Sequence, residues 1–168
     1  MTESNPREPL GVLFVCLGNI CRSPLAEAIF AHRTDELGLT PQLHIDSAGT
    51  GGWHVGKPAD SRSIAVGRRH GIDVPSVARE VDPDEDFHRF HLIVPMDESN
   101  QTTLLEWGAQ RERVRLMRSF DPALAGRPDR EIEVPDPYYG DGDGFERVYQ
   151  MLDAATSRLI EHVQDRLA

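Results

Sequence analysis

The chain has 168 residues, of which 39% are hydrophobic and 27% are charged, and its formal net charge at pH 7 is −10. This length and composition favour one globular domain with a full core, and the acidic charge argues against nucleic acid or an anionic membrane as a general partner. The two cysteines, Cys16 and Cys21, are too few for the disulfide framework of a small secreted protein, and no apolar run reaches the roughly 18 residues of a membrane span. We therefore expect a cytoplasmic protein that binds neither nucleic acid nor membrane.

The N-terminal part of the chain predicts a tail, a buried strand and a helix, in that order. Residues 1–9 are polar and have no basic segment leading into an apolar stretch, so we expect a flexible tail and no signal peptide. The apolar run at 11–15 is continuous, which is typical of a strand buried on both faces. Ser23 and Pro24 have the residue types of a helix N-cap and first helical position, and this helix is expected to run to about Leu37.

The remaining elements alternate strands and helices. We predict strands at 43–48, 90–95 and 114–116, and helices at 59–70 and 97–107. Residues 119–144 are rich in Pro, Gly and Asp and predict one long surface loop. From residue 145 onward apolar residues recur three and four positions apart, which predicts a last helix, with Asp143 as its cap and Glu146 three residues later. The alternation predicts an α/β fold in which residues 1–168 form a single-domain three-layer sandwich, with a four-stranded parallel sheet and helices on both faces.

The turn after the first strand has the residues of an anion site. Ligands of such folds bind at the carboxyl ends of the strands, where Cys16 lies. Residues 17–21 can direct successive backbone N–H groups into one concavity, and the following helix adds the positive end of its dipole. Arg22 can bind two phosphate oxygens at once, and the same field favours a thiolate at Cys16. Ser23 is placed to donate its hydroxyl to that thiolate or to cap the helix. The stretch therefore predicts a phosphate-binding loop with a built-in nucleophile, against the alternative of a buried cysteine and a surface arginine.

This stretch, VCLGNICRSP, resembles the signature loop of the low-molecular-weight protein tyrosine phosphatases. The likeness continues in SAGTGGWHVG (47–56), SVAR (76–79), MDESN (96–100) and DPYYGD (136–141), in the family's order and over nearly the whole chain. The resemblance implies hydrolysis of phosphotyrosine in a protein substrate through a phosphocysteine intermediate. It implies no cofactor and no metal, and we expect a monomer.

The resemblance also implies roles for individual residues. Cys16 would be the nucleophile, Arg22 would stabilise the transferring group, and Ser23 would ease the departure of the thiolate. Asp136 of the DPYYGD motif would be the general acid, which a phosphate monoester needs because an alkoxide or phenolate leaves poorly unless protonated. The implied phosphate- and substrate-binding residues are Leu17, Gly18, Asn19, Ile20, Cys21, Trp53, Tyr138 and Tyr139.

Several points stay open at the level of sequence. Some family members have a histidine bonded to the loop asparagine, and here Ser76 stands in that place, so the partner of Asn19 is undefined. Asp97 fits either a helix cap or a support for the site, Tyr139 fits either a pocket wall or an outward position, and Cys21 fits either a disulfide partner for Cys16 or a small packing residue.

Three other functions are compatible with the loop. An arsenate reductase that couples to thioredoxin needs further cysteines, and the chain has none outside the loop. A phosphoarginine phosphatase is disfavoured by Ile20, which offers nothing to a guanidinium. A phosphate-binding module without catalysis is disfavoured because Cys16, Arg22 and Asp136 are retained together.

Overall fold

The computed structural model describes residues 7–140 and 142–168. Residues 7–9 are exposed and irregular, and the rest of the predicted tail lies outside the described residues, as does Asp141. Among the helices described, none is both long and apolar enough to cross a membrane.

The central sheet is parallel and places the ends of its strands at one edge. Its strands β1 (Leu10–Cys16), β2 (Leu43–Gly49) and β3 (Leu92–Pro95) lie in the order β2-β1-β3. Every residue of β1 is buried, as the continuous apolar run predicts for a central strand. The register pairs Cys16 with Gly49 and Val15 with Pro95, so the segments that follow all three strands start side by side.

The prediction of a fourth strand is wrong. The sheet has three strands in the described part of the chain, and residue Val114 of the predicted strand forms only an isolated parallel bridge to Ile93. The segment is confined between two 3₁₀ turns, Arg111–Arg113 and Met117–Phe120, which leaves it too short for a ladder of hydrogen bonds.

Five α-helices are formed by the described residues. Their bounds are α1 Arg22–Glu36, α2 Ser61–Arg69, α3 Pro83–Arg89, α4 Glu98–Glu106 and α5 Gly144–Leu167. Because successive side chains of a strand point to opposite faces, β1 contributes to two cores. Val12 and Phe14 belong to the core that includes residues of α1 and α5, whereas Leu13 and Val15 belong to the core that includes residues of α3 and α4. The α/β prediction with helices on both faces is thereby confirmed.

Two predicted helix caps differ from the structure. The position before α1 is held by Cys21, and Ser23 lies inside the first turn, where its side chain is directed to the site. Asp143 precedes α5 but its side chain makes no capping bond, and Glu146 pairs with His70 of the segment after α2 instead of reaching back to the cap. In both cases a side chain that the local pattern predicts to cap the helix instead contacts a partner outside it, Cys16 for Ser23 and His70 for Glu146.

The predicted loop at 119–144 contains short ordered turns. It includes the 3₁₀ turns Pro122–Leu124 and Asp129–Glu131. Val134 is buried, and its N–H donates to the carbonyl of Met96 at 2.8 Å. The segment that follows, beginning at Pro135, is therefore held close to the end of β3.

Candidate active site

The loop between β1 and α1 combines hydrogen-bonded backbone carbonyls with backbone N–H groups that are available to a ligand. The carbonyls of Cys16, Leu17 and Ile20 accept hydrogen bonds from the N–H groups of Thr50, Gly51 and Asp60, at 2.8–3.0 Å. Within the described part of the chain, no backbone carbonyl accepts a hydrogen bond from the N–H groups of residues 17–21. Successive unpaired N–H groups next to a helix N-terminus form a concavity suited to an anion.

Asn19 holds the turn of this loop. It has a φ of 55°, and among the described residues it is the only non-glycine residue with positive φ. Its Nδ2 donates to the hydroxyls of Ser23 at 2.8 Å and Ser47 at 2.9 Å, and its Oδ1 accepts from the N–H of Arg79 at 3.0 Å. The sequence left the partner of Asn19 open, and the structure supplies two hydroxyls and one backbone amide. The hydroxyl of Ser76 is buried and forms no hydrogen bond with any of the described residues.

Cys16 lies buried at the base of this loop, next to a hydroxyl. Its Sγ is 3.0 Å from the Oγ of Ser23, and both side chains are buried. Because the Ser23 oxygen already accepts from Asn19, its own proton is free to be donated to a thiolate at Cys16. This arrangement gives Ser23 a partner at the sulfur rather than at the helix terminus.

Arg22 is a buried cation held by a carboxylate. Its Nη1 donates to Asp97 at 2.6 Å and to the carbonyl of Val134 at 3.0 Å, and its Nη2 is 3.6 Å from Asp136. Burial disfavours the guanidinium charge, but Cys16 and Asp97 outweigh it and raise the pKa of Arg22 above its ordinary value. Asp97 also accepts from the N–H of Asn100 at 2.8 Å, so it serves both as the cap of α4 and as the support of Arg22.

Asp136 stands at the mouth of the site on the segment after Val134. Its side chain is 39% exposed, and its Oδ1 accepts from the N–H of Tyr138 at 3.1 Å. Arg62 at the start of α2 donates to the carbonyl of Tyr138 at 3.2 Å and lies over its ring at 5.5 Å. The cation–π contact and the hydrogen bond fix this segment against α2.

A pocket of about 440 Å³ opens above Cys16. Its lining residues are Cys16, Leu17, Gly18, Ile20, Cys21, Arg22, Trp53, His54, Asp136, Tyr138 and Tyr139. Asn19 and Ser23, the two remaining residues that the sequence singled out, do not line it and instead bond to each other behind the loop.

The aromatic residues form the outer part of the pocket. Trp53 is 70% exposed and Tyr139 is 91% exposed, whereas Tyr138 is more covered and meets Tyr139 edge to face at 4.8 Å. Tyr139 thus lines the pocket although its side chain is almost fully exposed to solvent. Apolar faces of this kind can hold a flat ring between them.

Sequence reasoning missed residues that shape the pocket from outside the loop. His54 lies so close that a Cβ on Gly18 would come within 2.9 Å of its ring, and its ring centroid is 6.3 Å from that of Tyr138. Its position next to Trp53 in a glycine-rich segment was the available signal. Ser47 and Arg79 lie in the stretches SAGTGGWHVG and SVAR that carry the resemblance, whereas Arg62 lies in none of them, and the roles of all three depend on contacts that only the fold creates.

Cys21 differs chemically from Cys16. It is a free, buried thiol, and its carbonyl accepts from the hydroxyl of Ser63 at 3.1 Å. Burial, and secondarily the carboxylate of Asp60, raises the pKa of Cys21 to about 12. Cys21 is therefore a neutral thiol in the pocket lining at neutral pH, and it is far less nucleophilic than a thiolate at Cys16 would be.

Comparisons with known proteins agree on one family. The family model described as "Low molecular weight phosphotyrosine protein phosphatase" matches residues 11–168. A "Low molecular weight protein-tyrosine-phosphatase" of Streptomyces coelicolor is 44% identical over 159 residues, which cover 93% of this chain and 94% of that protein. "Low molecular weight protein-tyrosine phosphatase A" of Mycobacterium tuberculosis is 41% identical over 161 residues, with 96% of both chains covered. A crystal structure of a protein tyrosine phosphatase from Entamoeba histolytica matches with a TM-score of 0.85 at 38% identity, over 95% of this chain and 99% of that one.

Proposed function

The chain belongs to the low molecular weight phosphotyrosine protein phosphatase family, and from this premise we propose that Cys16 attacks the phosphoryl group of phosphotyrosine in a protein substrate. The chain is a protein-tyrosine-phosphatase, a phosphoric monoester hydrolase. The observation that carries the assignment of its residues is that Cys16, Arg22 and Asp136 line one pocket above a loop with unpaired N–H groups.

In the first half of the reaction the phosphoryl group moves to sulfur. The thiolate of Cys16 forms the S–P bond as the bond between phosphorus and the tyrosine oxygen breaks. Arg22 and the N–H groups of residues 17–21 bind the equatorial oxygens of the transferring phosphoryl group, and they stabilise the charge on these oxygens in the transition state. Asp136 donates its proton to the departing tyrosine oxygen, and its partly exposed position at the pocket mouth suits that transfer.

In the second half water cleaves the phosphocysteine. Asp136, now a carboxylate, takes a proton from the attacking water, and the S–P bond breaks to release inorganic phosphate. The departing thiolate of Cys16 receives the hydrogen bond of Ser23, whose Oγ lies 3.0 Å from the sulfur. The cycle uses only these side chains and water.

The pocket walls favour an aryl phosphate. A phosphotyrosine ring fits between Trp53 and Tyr138, whereas phosphoserine and phosphothreonine are too short to bring their phosphate past these walls to Cys16. Ile20 in the pocket lining is apolar, so a guanidinium placed against it would leave polar groups unpaired, at about 1–3 kcal/mol for each. Phosphotyrosine is therefore the preferred substrate over phosphoarginine.

We also propose that the protein works as a cytoplasmic monomer of one domain. Two free cysteines flanking one loop, one of them needed as a thiolate, suit a reducing compartment. Five of its large exposed apolar side chains lie in the pocket lining or next to it in the sequence. Leu17, Trp53, Tyr138 and Tyr139 line the pocket, and Val55 directly follows the lining residue His54. Size-exclusion chromatography with light scattering should therefore give the mass of one chain.

The test of the function is metal-free hydrolysis of p-nitrophenyl phosphate in the presence of a chelator. We expect steady turnover by the wild type, none by Cys16→Ser, and wild-type turnover by Glu36→Gln, an exposed residue of α1. Turnover of arsenate with thiol oxidation and no phosphate release would instead indicate an arsenate reductase, and phosphate binding without turnover would indicate a binding module.

A further inference from the structure

A second concave site lies at the opposite end of the sheet from the pocket above Cys16. It is a pocket of about 350 Å³, and its lining residues are His91, Leu92, Gln110, Glu112, Arg113, Arg115, His162 and Arg166. His91 directly precedes β3, whereas Cys16 is the last residue of the parallel strand β1. The two pockets share no lining residue, and the mechanism above uses none of the residues of the second one.

The lining of this second pocket is basic, although the formal net charge of the protein is −10. Three arginines against one glutamate leave a formal charge of +2 when both histidines are neutral. In the part of the chain that the structure describes, Arg113, Arg115 and Arg166 form no ion pair with a carboxylate. Cations gathered in a concave surface focus their field into it, which favours an anionic ligand there.

Arg113 is held in place by neutral oxygens. Its Nη1 donates to the carbonyl of Phe90 at 3.0 Å, and its Nε donates to the side-chain oxygen of Gln110 at 3.0 Å. These bonds restrain the guanidinium without neutralising it. The charge of Arg113 is therefore oriented before a ligand arrives, which lowers the entropic cost of binding.

The other two arginines of the pocket come from separate segments. Arg115 lies between α4 and α5, and its guanidinium carbon is 4.4 Å from the ring centroid of Phe120, a cation–π contact that restrains the side chain. Arg166 lies in the last turn of α5 and is exposed. Because the cations come from different segments, they can approach one ligand from different sides.

His91 supplies a neutral hydrogen-bond donor to this pocket. Its Nδ1 accepts from the N–H of Gly11 at 2.9 Å, which places the ring proton on Nε2. Burial, and then Arg166 and Arg113, lower the pKa of His91, and Glu8 opposes them. His91 is therefore neutral at pH 7, and its Nε2–H can be donated to an anion.

His162 connects the charge in the pocket to a measurable ionisation. Burial, and then Arg115 and Arg166, lower the pKa of His162, and Asp165 opposes them. An anion bound among these arginines places negative charge near the ring, which favours the imidazolium and raises the pKa. The ionisation of His162 therefore shows whether an anion occupies the pocket.

We propose that this pocket binds a small anion with two linked phosphoryl groups, that is, a diphosphate. One arginine binds two phosphate oxygens at once, so three arginines can bind more oxygens than the three terminal ones of a single phosphoryl group. The formal charge of +2 complements the charge of a diphosphate. The volume of about 350 Å³ lies in the range of small-molecule sites, and its concave shape suits such a ligand.

The experiment measures the binding of sodium pyrophosphate and of sodium sulfate to the Cys16→Ser protein by calorimetry and by NMR of the histidine rings. Pyrophosphate should shift the ring signals of His91 and His162 and raise the pKa of His162, whatever it also does in the pocket above residue 16. Sulfate should bind at this site roughly tenfold more weakly or worse.

Substitutions on that background assign the binding to the arginines. Arg115→Gln and Arg166→Gln should each weaken the pyrophosphate binding that shifts the histidine signals by roughly tenfold. The control Arg158→Gln removes the same charge from another position of α5, where Arg158 is paired with Glu161 at 3.1 Å. It should leave the Kd within about twofold. Without ligand, Arg115→Gln and Arg166→Gln should raise the pKa of His162, since each removes a cation that lowers it.

The outcomes separate the proposal from its alternatives. Unchanged signals of His91 and His162 with pyrophosphate, the same Kd in all three arginine variants, or equal affinity for sulfate would each overturn it. Binding to vesicles that contain phosphatidylinositol bisphosphate, without any response to pyrophosphate, would overturn it in favour of a membrane contact. ADP distinguishes two sources of the diphosphate group, since tighter binding than pyrophosphate supports a nucleotide and equal or weaker binding supports an inorganic diphosphate.

Discussion

Replacing Asp97 by Asn tests how Arg22 is held over the pocket. The Arg22–Asp97 contact joins a buried guanidinium to a mostly covered carboxylate at 2.6 Å. Asn is also a good N-cap, so the bond that Asp97 accepts from Asn100 at the start of α4 can be kept while the charge is removed. Asp97→Asn therefore isolates the contact with Arg22.

The expected size follows from the nature of that contact. A hydrogen bond to a charged group contributes about 1.5–3 kcal/mol, which corresponds to roughly 10- to 150-fold in rate. Freed from Asp97, the guanidinium has Asp136 as its nearest remaining carboxylate, at 3.6 Å, and pairing there takes up the general acid as well. We therefore expect kcat/KM to fall by about 10- to 150-fold and the free energy of unfolding to fall by about 1.5–3 kcal/mol.

The assay measures kcat/KM for p-nitrophenyl phosphate alongside urea unfolding. Glu98→Gln, the exposed neighbour in the sequence, is the control and should match the wild type in both. Asp97→Ala should lose about 1 kcal/mol more stability than Asp97→Asn because it also removes the cap. Unchanged kcat/KM in Asp97→Asn, whatever its stability, would refute the argument that Asp97 aims Arg22.

Three further predictions concern the general acid Asp136, the second cysteine Cys21 and the lining residue Ile20. Asp136→Ala should reduce kcat on phosphotyrosine by roughly 10²–10⁴-fold, and it should reduce kcat less on aryl phosphates with acidic leaving groups. Equal losses of kcat across a leaving-group series would show that Asp136 is not the general acid. Cys21 should trap oxidised Cys16 as a disulfide, so after peroxide and then dithiothreitol the wild type should regain more activity than Cys21→Ser, and equal recovery would show that Cys21 gives no protection. Ile20→Thr should shift kcat/KM toward phosphoarginine in a side-by-side comparison of four phosphoamino acids, whereas a wild type faster on phosphoarginine would overturn the substrate assignment.

The parts of the fold that were predicted correctly are those encoded by local patterns. The strand at 11–15 is a continuous apolar run, and the α5 stripe has helical spacing, so both were visible without any tertiary information. By contrast α3 was missed, although Asp82 caps it at 3.1 Å and Pro83 opens it. Phe87 is its only buried apolar residue, so its hydrophobic pattern is weak.

The parts that could not be predicted depend on distant partners. The sequence allows the hydroxyl of Ser23 either to cap the helix or to face Cys16, and the structure decides for Cys16, whose Sγ lies 3.0 Å from Oγ. The network behind the loop joins residues 28 and 60 positions apart in the chain, Asn19 with Ser47 and Asn19 with Arg79. The fold creates these contacts, since the parallel register of β1 and β2 places Ser47 and the parallel bridge between Gly49 and Glu80 places Arg79.

The central claim, that Cys16 carries the phosphoryl group during turnover, is tested most directly by trapping the intermediate. The wild type is mixed with p-nitrophenyl phosphate, quenched in acid within the first turnover, and digested for mass spectrometry. We predict one phosphoryl group per chain on the peptide that contains Cys16, formed with a burst of p-nitrophenol and absent from Cys16→Ser. Turnover without a burst and without phosphate on that peptide, or a Cys16→Ser enzyme that retains the wild-type rate, would contradict the account.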